Sequence, residues 1–390
     1  MTPTPPSSPP SAPATTPQLR GTDPDTVRTA LESGEPLPGT SGFAGVVDID
    51  GRDHLVRDVL GRVPLFVERD QAPTPTPTDA WAYTPEELDA PLPFPAGAVA
   101  TPDDSAPQQR WTLPDPDPDP IEDVDTARAV LESAIETAAT EAAATDADIA
   151  VAFSGGVDSA LVAELLDAPL YVVGFPDSHD VEAARSAAAA MGRELTVVEL
   201  KPSDLERAVP EIARATGRVN AMDIQIALPL YLVGERVAAD GFDALAVGQG
   251  ADELFGGYEK VVRLDHRVEA ETTRGAVREQ IRSLPEQLPR DVRAIEAAGL
   301  EPIAPLLHDE VVDAALRLPD ELLADEETRK RGFRQVAVEY LPEEVAMRDK
   351  KAVQYGSLVA RELDRLARQA GYKRRMDDHV SKYVDSLLDE

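Results

Sequence analysis

The residues richest in chemistry are Ser154-Gly155-Gly156-Val157-Asp158-Ser159, which follow an apolar run from Ile149 to Phe153 and open a helical one. Adjacent glycines let a backbone turn sharply and approach an anion closely. Exposed N–H groups at the helix start then attract phosphate, and Ser154 and Ser159 add hydroxyl donors. Asp158 would repel a phosphate unless a cation lay between them, which argues for Mg²⁺. A bare tight turn would need the two glycines but not the two serines and the aspartate.

A second Gly-rich string, Gly248-Gln249-Gly250-Ala251-Asp252-Glu253-Leu254-Phe255-Gly256-Gly257-Tyr258, follows the apolar run Ala244 to Val247. Asp252 could simply cap a helix that Gly256-Gly257 ends, but capping does not account for the whole string. In an open parallel sheet, ligands sit beyond the carboxyl ends of the strands. The two strings therefore face one phosphorylated ligand, with Asp158 and Asp252 sharing its magnesium.

The elements that must position these loops alternate. Helix is expected from Asp125 to Ala143, strand at Ile149–Phe153, helix at Ala160–Leu166 and strand at Leu170–Gly174. Helix His179–Met191, strand Leu195–Leu200, helices near Ser203–Thr216 and Asp223–Ala239, and strand Ala244–Val247 complete the alternation. That order implies an α/β fold with a doubly wound parallel sheet. Past Glu253 the chain reads as helical to its end. Ahead of the linker, residues 38–113 read as a small β-rich unit with strands around Phe43–Gly51, Asp53–Arg57, Val63–Val67 and Trp81–Tyr83. A helix at Asp25–Ser33, capped by Asp23 or Asp25, follows a Pro/Ser/Thr-rich tail; together they make up residues 1–37. The Asp-Pro repeats within 114–124 read as a linker, leaving 125–390 as the main domain.

The phosphate loop resembles the pyrophosphate loop of ATP pyrophosphatases, and the two Gly-rich strings together resemble asparagine synthetases and their lactam-forming relatives. The resemblance runs in order through His179–Ala184, Leu288–His308, Thr328–Pro342 and Arg348–Lys351. It implies a sheet of the ATP pyrophosphatase (adenine nucleotide alpha hydrolase-like) type. It also implies ATP and Mg²⁺ as ligands, and a carboxylate substrate activated as acyl-AMP before a nitrogen nucleophile displaces AMP. By the same resemblance, Lys350 sits at the departing pyrophosphate, where a compact charge on a flexible stem suits the task. Glu271 stands at about the spacing of the family's base, with Glu269 a near competitor. Val173-Gly174 would line the adenine pocket through backbone groups, although the apolar residues around them read equally well as core.

Phe43–Gly45, Arg57–Phe66 and Pro95–Gly97 resemble pieces of the family's glutaminase domain. That domain needs an N-terminal cysteine, and this chain contains none, so the unit reads as a degenerate remnant. Nitrogen would then come from ammonia, another amine or a separate supplying protein. Gln249 stands where asparagine synthetases usually carry glutamate, Ile303 replaces an arginine, and Leu307-His308 replaces a leucine–aspartate pair. These departures keep open another acceptor (a lactam, a cofactor or an RNA base) and a non-catalytic ATP-binding role.

Composition narrows the classes further. The 72 acidic against 38 basic side chains give a net charge of −34, which repels nucleic-acid phosphates and anionic membranes. So acidic a surface fits a halophile, where salt screens self-repulsion, or simply an acidic cytoplasmic enzyme. The absence of cysteine excludes disulfides, thiolate metal sites and thiol nucleophiles within this chain. No apolar run approaches a membrane span and no signal-peptide pattern opens the chain, so the expected location is the cytoplasm. Among the basic residues clustered between Arg329 and Lys351, Arg329 and Arg331 read as solvated or helix-end charges.

Overall fold

The computed structural model describes residues 18–69, 80–104, 106–115, 120–263, 268–324, 328–348 and 357–388. At its centre lies a five-stranded parallel sheet. Its strands are β9 (Ile149–Ala152), β10 (Leu170–Gly174), β11 (Leu195–Glu199), β12 (Ala244–Ala246) and β13 (Glu301–Ile303), in the spatial order β11-β10-β9-β12-β13. The chain steps outward from β9 to β11, then returns to the other side of β9 with β12. The switch point therefore falls between β9 and β12, whose register pairs Ala244 with Ile149 and Ala246 with Val151.

Strand periodicity explains why helices cover both faces. Val151, Leu170, Val172 and Ala246 pack into one core with helices α2 (Val124–Ala143), α3 (Val157–Leu166) and α4 (His179–Ala190). Their neighbours Ala150, Tyr171, Val173 and Leu245 point the other way, against α5 (Pro202–Thr216), α6 (Ala221–Ala239) and α10 (Leu284–Ala297). The doubly wound parallel sheet expected from the alternating pattern is therefore the observed one.

The expectation of an all-helical chain past Glu253 needs correction. Glu301-Pro302-Ile303 forms β13, parallel to β12 with Leu245 opposite Pro302. Three residues are too few to show a period, and the proline masks them as a strand; it is tolerated because β13 is an edge. Among the described residues, no helix is long and apolar enough to cross a membrane.

The N-terminal residues build an antiparallel sheet of order β1-β2-β3-β7-β8: β1 (Leu19–Arg20), β2 (Ala44–Ile49), β3 (Arg52–Arg57), β7 (Ala98–Ala100) and β8 (Gln108–Gln109). A second, of order β5-β4-β6, joins β4 (Phe66–Glu68) to β5 (Trp81–Ala82) and β6 (Pro91–Pro93). Asp50 and Gly51 both have positive φ, as a two-residue hairpin turn with the strands' right-handed twist requires. Asp23 caps α1 (Pro24–Ser33) by accepting from the backbone N–H of Asp25 and Thr26.

These strands do not form an isolated body. Val27, Phe43 and Trp111 share one core with Leu131 and Ile135 of α2, and Phe43 meets Trp111 edge-to-face at 5.5 Å. Arg57 is buried and donates to the carbonyls of Gly61 (2.8 Å) and Val63 (3.0 Å); burial lowers its proton affinity to a pKa of about 10. Arg62 reaches further. It pairs with Asp58 at 2.9 Å and with Asp309 at 2.7 Å, and donates to the Leu307 carbonyl at 2.7 Å. Burial opposes its charge, but the Asp309 and Asp58 carboxylates outweigh that and hold its proton more tightly.

Candidate functional site

Each of the two Gly-rich loops comes from a strand end at the switch point. The chain leaves β9 at Phe153 and turns through Gly155, whose φ is +73°. A methyl there would lie 2.6 Å from the Ala183 carbonyl, because α4 presses on the turn. Gly156 then begins α3 with no side chain capping it, and the first turn of a helix leaves backbone N–H groups without an intrahelical partner. Ser159 Oγ accepts from the Ser154 N–H at 3.2 Å and fixes the two ends of the loop to each other.

The β12 exit packs directly on this loop. A methyl at Gly248 would lie 2.7 Å from the Asp158 carbonyl carbon and from the Ser159 nitrogen, so only glycine allows the two backbones to touch. α7 (Ala251–Leu254) begins after Gly250 and carries Asp252 and Glu253 in its first turn. Behind Gly250 lies Leu307, whose carbonyl Arg62 holds.

The two loops open into a cavity of about 440 Å³. Ser154, Val157, Asp158, Ser159, Val173, Gly248, Gly250 and Asp252 line it. Gly155 and Gly156 form the turn behind that wall, and Gly174 lies against Ser178. A second cleft, of about 510 Å³ between Leu37 and α2, is lined by Glu35, Asp309, Glu310 and Asp313 without a basic side chain, so it disfavours anions.

Lys330, which lines the cavity with Arg290, Arg329 and Arg334, is the cation that pairs with both loop aspartates. Its Nζ stands 2.8 and 2.9 Å from the two oxygens of Asp158 and 2.5 Å from Asp252 Oδ1. Lys330 precedes α13 (Arg331–Ala337), where Arg334 donates to the carbonyls of Arg329, Ala346 and Arg348. In the sequence Lys330 is one of several clustered cations within the family-like stretch Thr328–Pro342, and nothing there singles it out from its neighbours. Lys350 lies outside the described residues.

The two aspartates converge on one positive centre, which is the donor chemistry a divalent cation needs when water and phosphate oxygens complete its shell. No group of three or more metal-binding side chains occurs among the described residues. The residues thus fit a magnesium that arrives largely ligated, as magnesium usually does with phosphates.

Glu271 is exposed, just ahead of α9 (Thr273–Arg282), and does not line the cavity. Thr272 caps α9 there, so the polar residues before it stay in solvent. The glutamate in the cavity wall is Glu253, which is buried and accepts from Tyr258 Oη at 2.5 Å. Burial pushes its carboxyl up, with the Tyr258 hydrogen bond opposing. The folded protein therefore holds this proton more tightly than the unfolded chain does. As pH rises above the ordinary value of 4.5, the unfolded chain loses this proton first and stability falls until the folded carboxyl also ionises. Glu253→Gln should flatten that fall, which urea unfolding from about pH 4.5 to about pH 8 would measure. Equal slopes in the two proteins would exclude this origin.

Gln249, Arg290 and Asp291 also line the cavity. Arg290 clasps Asp291 through two bonds of 2.6 and 2.9 Å and reaches Asp223 at 2.9 Å. Gln249 donates its amide to the same Asp291 carboxylate. His308 is wholly buried: its Nδ1 accepts from the Glu310 N–H at 3.3 Å and its Nε2 faces Glu141 at 3.0 Å, tying α11 (Asp309–Leu316) to α2.

A family model for asparagine synthase matches residues 130–282 and 264–388, more than half of the chain. A Methanocaldococcus jannaschii protein described as glutamine-hydrolyzing asparagine synthetase 1 is 30% identical over 276 residues, covering 61% of this chain and 50% of that protein. Asparagine synthetase B of Escherichia coli is 24% identical over 252 residues, 59% of this chain and 45% of that one. Asparagine synthetase 1 of Lotus japonicus is 24% identical over 308 residues, 72% and 50% of the two chains. The chain spans about half the length of the curated relatives it matches. With its switch-point loops, its facing aspartates and a match over most of its α/β part, the chain belongs to the asparagine synthase family.

Proposed function

We propose that the protein is an ATP-dependent carbon–nitrogen ligase, with aspartate as the first acyl substrate to test. A carboxylate oxygen attacks the α-phosphorus, the bond to the β-phosphate breaks and pyrophosphate leaves. A nitrogen nucleophile then attacks the acyl carbon, AMP departs with the C–O electron pair, and the nitrogen gives up a proton. The observation that carries this reading is the contact of the two Gly-rich loops, which aims Asp158 and Asp252 at one cation.

In this reading Ser154, Ser159 and the first-turn N–H groups of α3 bind the phosphates, and Val173 borders the base. Asp158 and Asp252 would hold magnesium, which would supply charge neutralisation for the departing pyrophosphate. Lys350 is assigned to the departing pyrophosphate on its motif alone. For the proton of the attacking amine, Glu253 is better placed than Glu271, since it lies in the wall and its proton affinity is raised. The nitrogen is ammonia, an amine or the product of a separate protein, because no cysteine in this chain can serve a glutaminase.

A second reading, with a different acceptor, is favoured by the Gln249–Asp291–Arg290 wall. There the arginine is already engaged by carboxylates, so it is committed before a substrate carboxylate arrives. The test is pyrophosphate release from ATP and Mg²⁺ in high salt, with aspartate and ammonia supplied or withheld. Release that requires aspartate and yields AMP and asparagine supports the first reading, and its loss in Asp158→Asn ties it to this loop. Nucleotide binding without aspartate-dependent release selects the second reading, and absence of nucleotide binding rejects both.

A further inference from the structure

We propose that Lys330 is a resident counter-cation that holds Asp158 and Asp252 together until a metal arrives with polyphosphate. The protein would therefore not take up free divalent metal first. This rests on the ATP-dependent reading of the same cavity.

Three observations carry it. The Lys330 ammonium lies within 2.9 Å of both Asp158 oxygens and 2.5 Å of Asp252, with the side chains of Lys330 and Asp158 only 6% and 4% exposed. Two carboxylates that share one ammonium, Asp158 buried and Asp252 37% exposed, repel each other unless a cation lies between them. The lysine is also held there by its backbone, in the left-handed region at φ +58°, immediately before α13. Finally, Gly257 leaves room for it: a methyl at that position would lie 2.6 Å from Lys330 Cε and 2.1 Å from Asp252 Oδ1.

A magnesium bound to the same oxygens needs contacts of about 2.0–2.1 Å in an octahedral shell, which an ammonium between those oxygens obstructs. Free metal must displace a buried cation and offers it no new partner. Metal carried by a polyphosphate brings anionic oxygens toward which the flexible lysine stem can swing. Exchange is then favourable only as a unit, and the affinity for metal alone is lowered by the fraction of molecules whose carboxylates are open.

Mn²⁺ binding, read by electron paramagnetic resonance and calorimetry, tests this without turnover. The wild-type protein should bind one Mn²⁺ at least about ten-fold more weakly alone than with α,β-methylene ATP. Lys330→Met and Lys330→Ala should each strengthen binding of Mn²⁺ alone about ten-fold or more, and adding Asp252→Asn should remove that gain. Equal wild-type affinity with and without the analogue overturns the proposal, as does a folded Lys330→Met protein with no gain. Should neither variant fold, the wild-type comparison decides. Failure of the analogue to bind would count against the ATP reading, while the gain in the Lys330 variants would still report on the lysine.

Discussion

If the protein is the ligase proposed above, a single methyl added at Gly248 is expected to lower pyrophosphate release by about 10²-fold while leaving the protein folded. The Cβ would lie 2.7 Å from two backbone atoms of the neighbouring loop and 2.8 Å from Asp158 Cβ. Backbone cannot rotate aside as a side-chain tip can, so the β9 and β12 exits must part by a fraction of an ångström or more. Stability should fall by only about 1–3 kcal/mol, the usual cost of an overpacked contact. The reacting geometry is far less forgiving, because Asp158 would be carried away from Asp252. Gly248→Ala should therefore retain a cooperative thermal transition and lose turnover. Turnover within about two-fold of wild type would show that the loop contact does not set the site.

Arg62→Leu should destabilise the protein by about 3–5 kcal/mol. The substitution removes the ion-pair partner of Asp58 and Asp309, both essentially without solvent, and it frees the Leu307 carbonyl. An intact buried ion pair can contribute little net stability, but removing one partner strands the other. Replacing Asp58 and Asp309 by asparagine in the Arg62→Leu background should accordingly recover part of the loss. Because the pair is buried, the effect should persist in high salt. Guanidinium unfolding is unsuitable for that last point, so urea at two salt concentrations is the measurement; a change under about 1 kcal/mol would mean that Arg62 is not the staple its contacts describe. Since Leu307 backs Gly250, the N-terminal strands brace the loop that carries Asp252 through this arginine.

Much of the fold was legible without coordinates. The strands Ile149–Ala152 and Leu170–Gly174 and the helices around them announce themselves by apolar runs and by their alternation. Glu301–Ile303 was not legible, because a three-residue edge strand containing proline has no period to display. Glu271 shows the limit of spacing: it counts residues from Tyr258 but cannot see that Thr272 starts a helix whose approach lies in solvent.

The sequence by itself determined the two Gly-rich loops, the strand ends that carry them and the acidic residues within them. These are local properties, encoded by residue type over a few positions. Only the tertiary structure decided that Gly248 touches Asp158, that Lys330 enters between two aspartates, one of them 172 residues away in sequence, and that Arg62 crosses from the N-terminal strands to Leu307. Burial and charge pairing depend on which distant segments meet, and a linear pattern carries no term for that meeting.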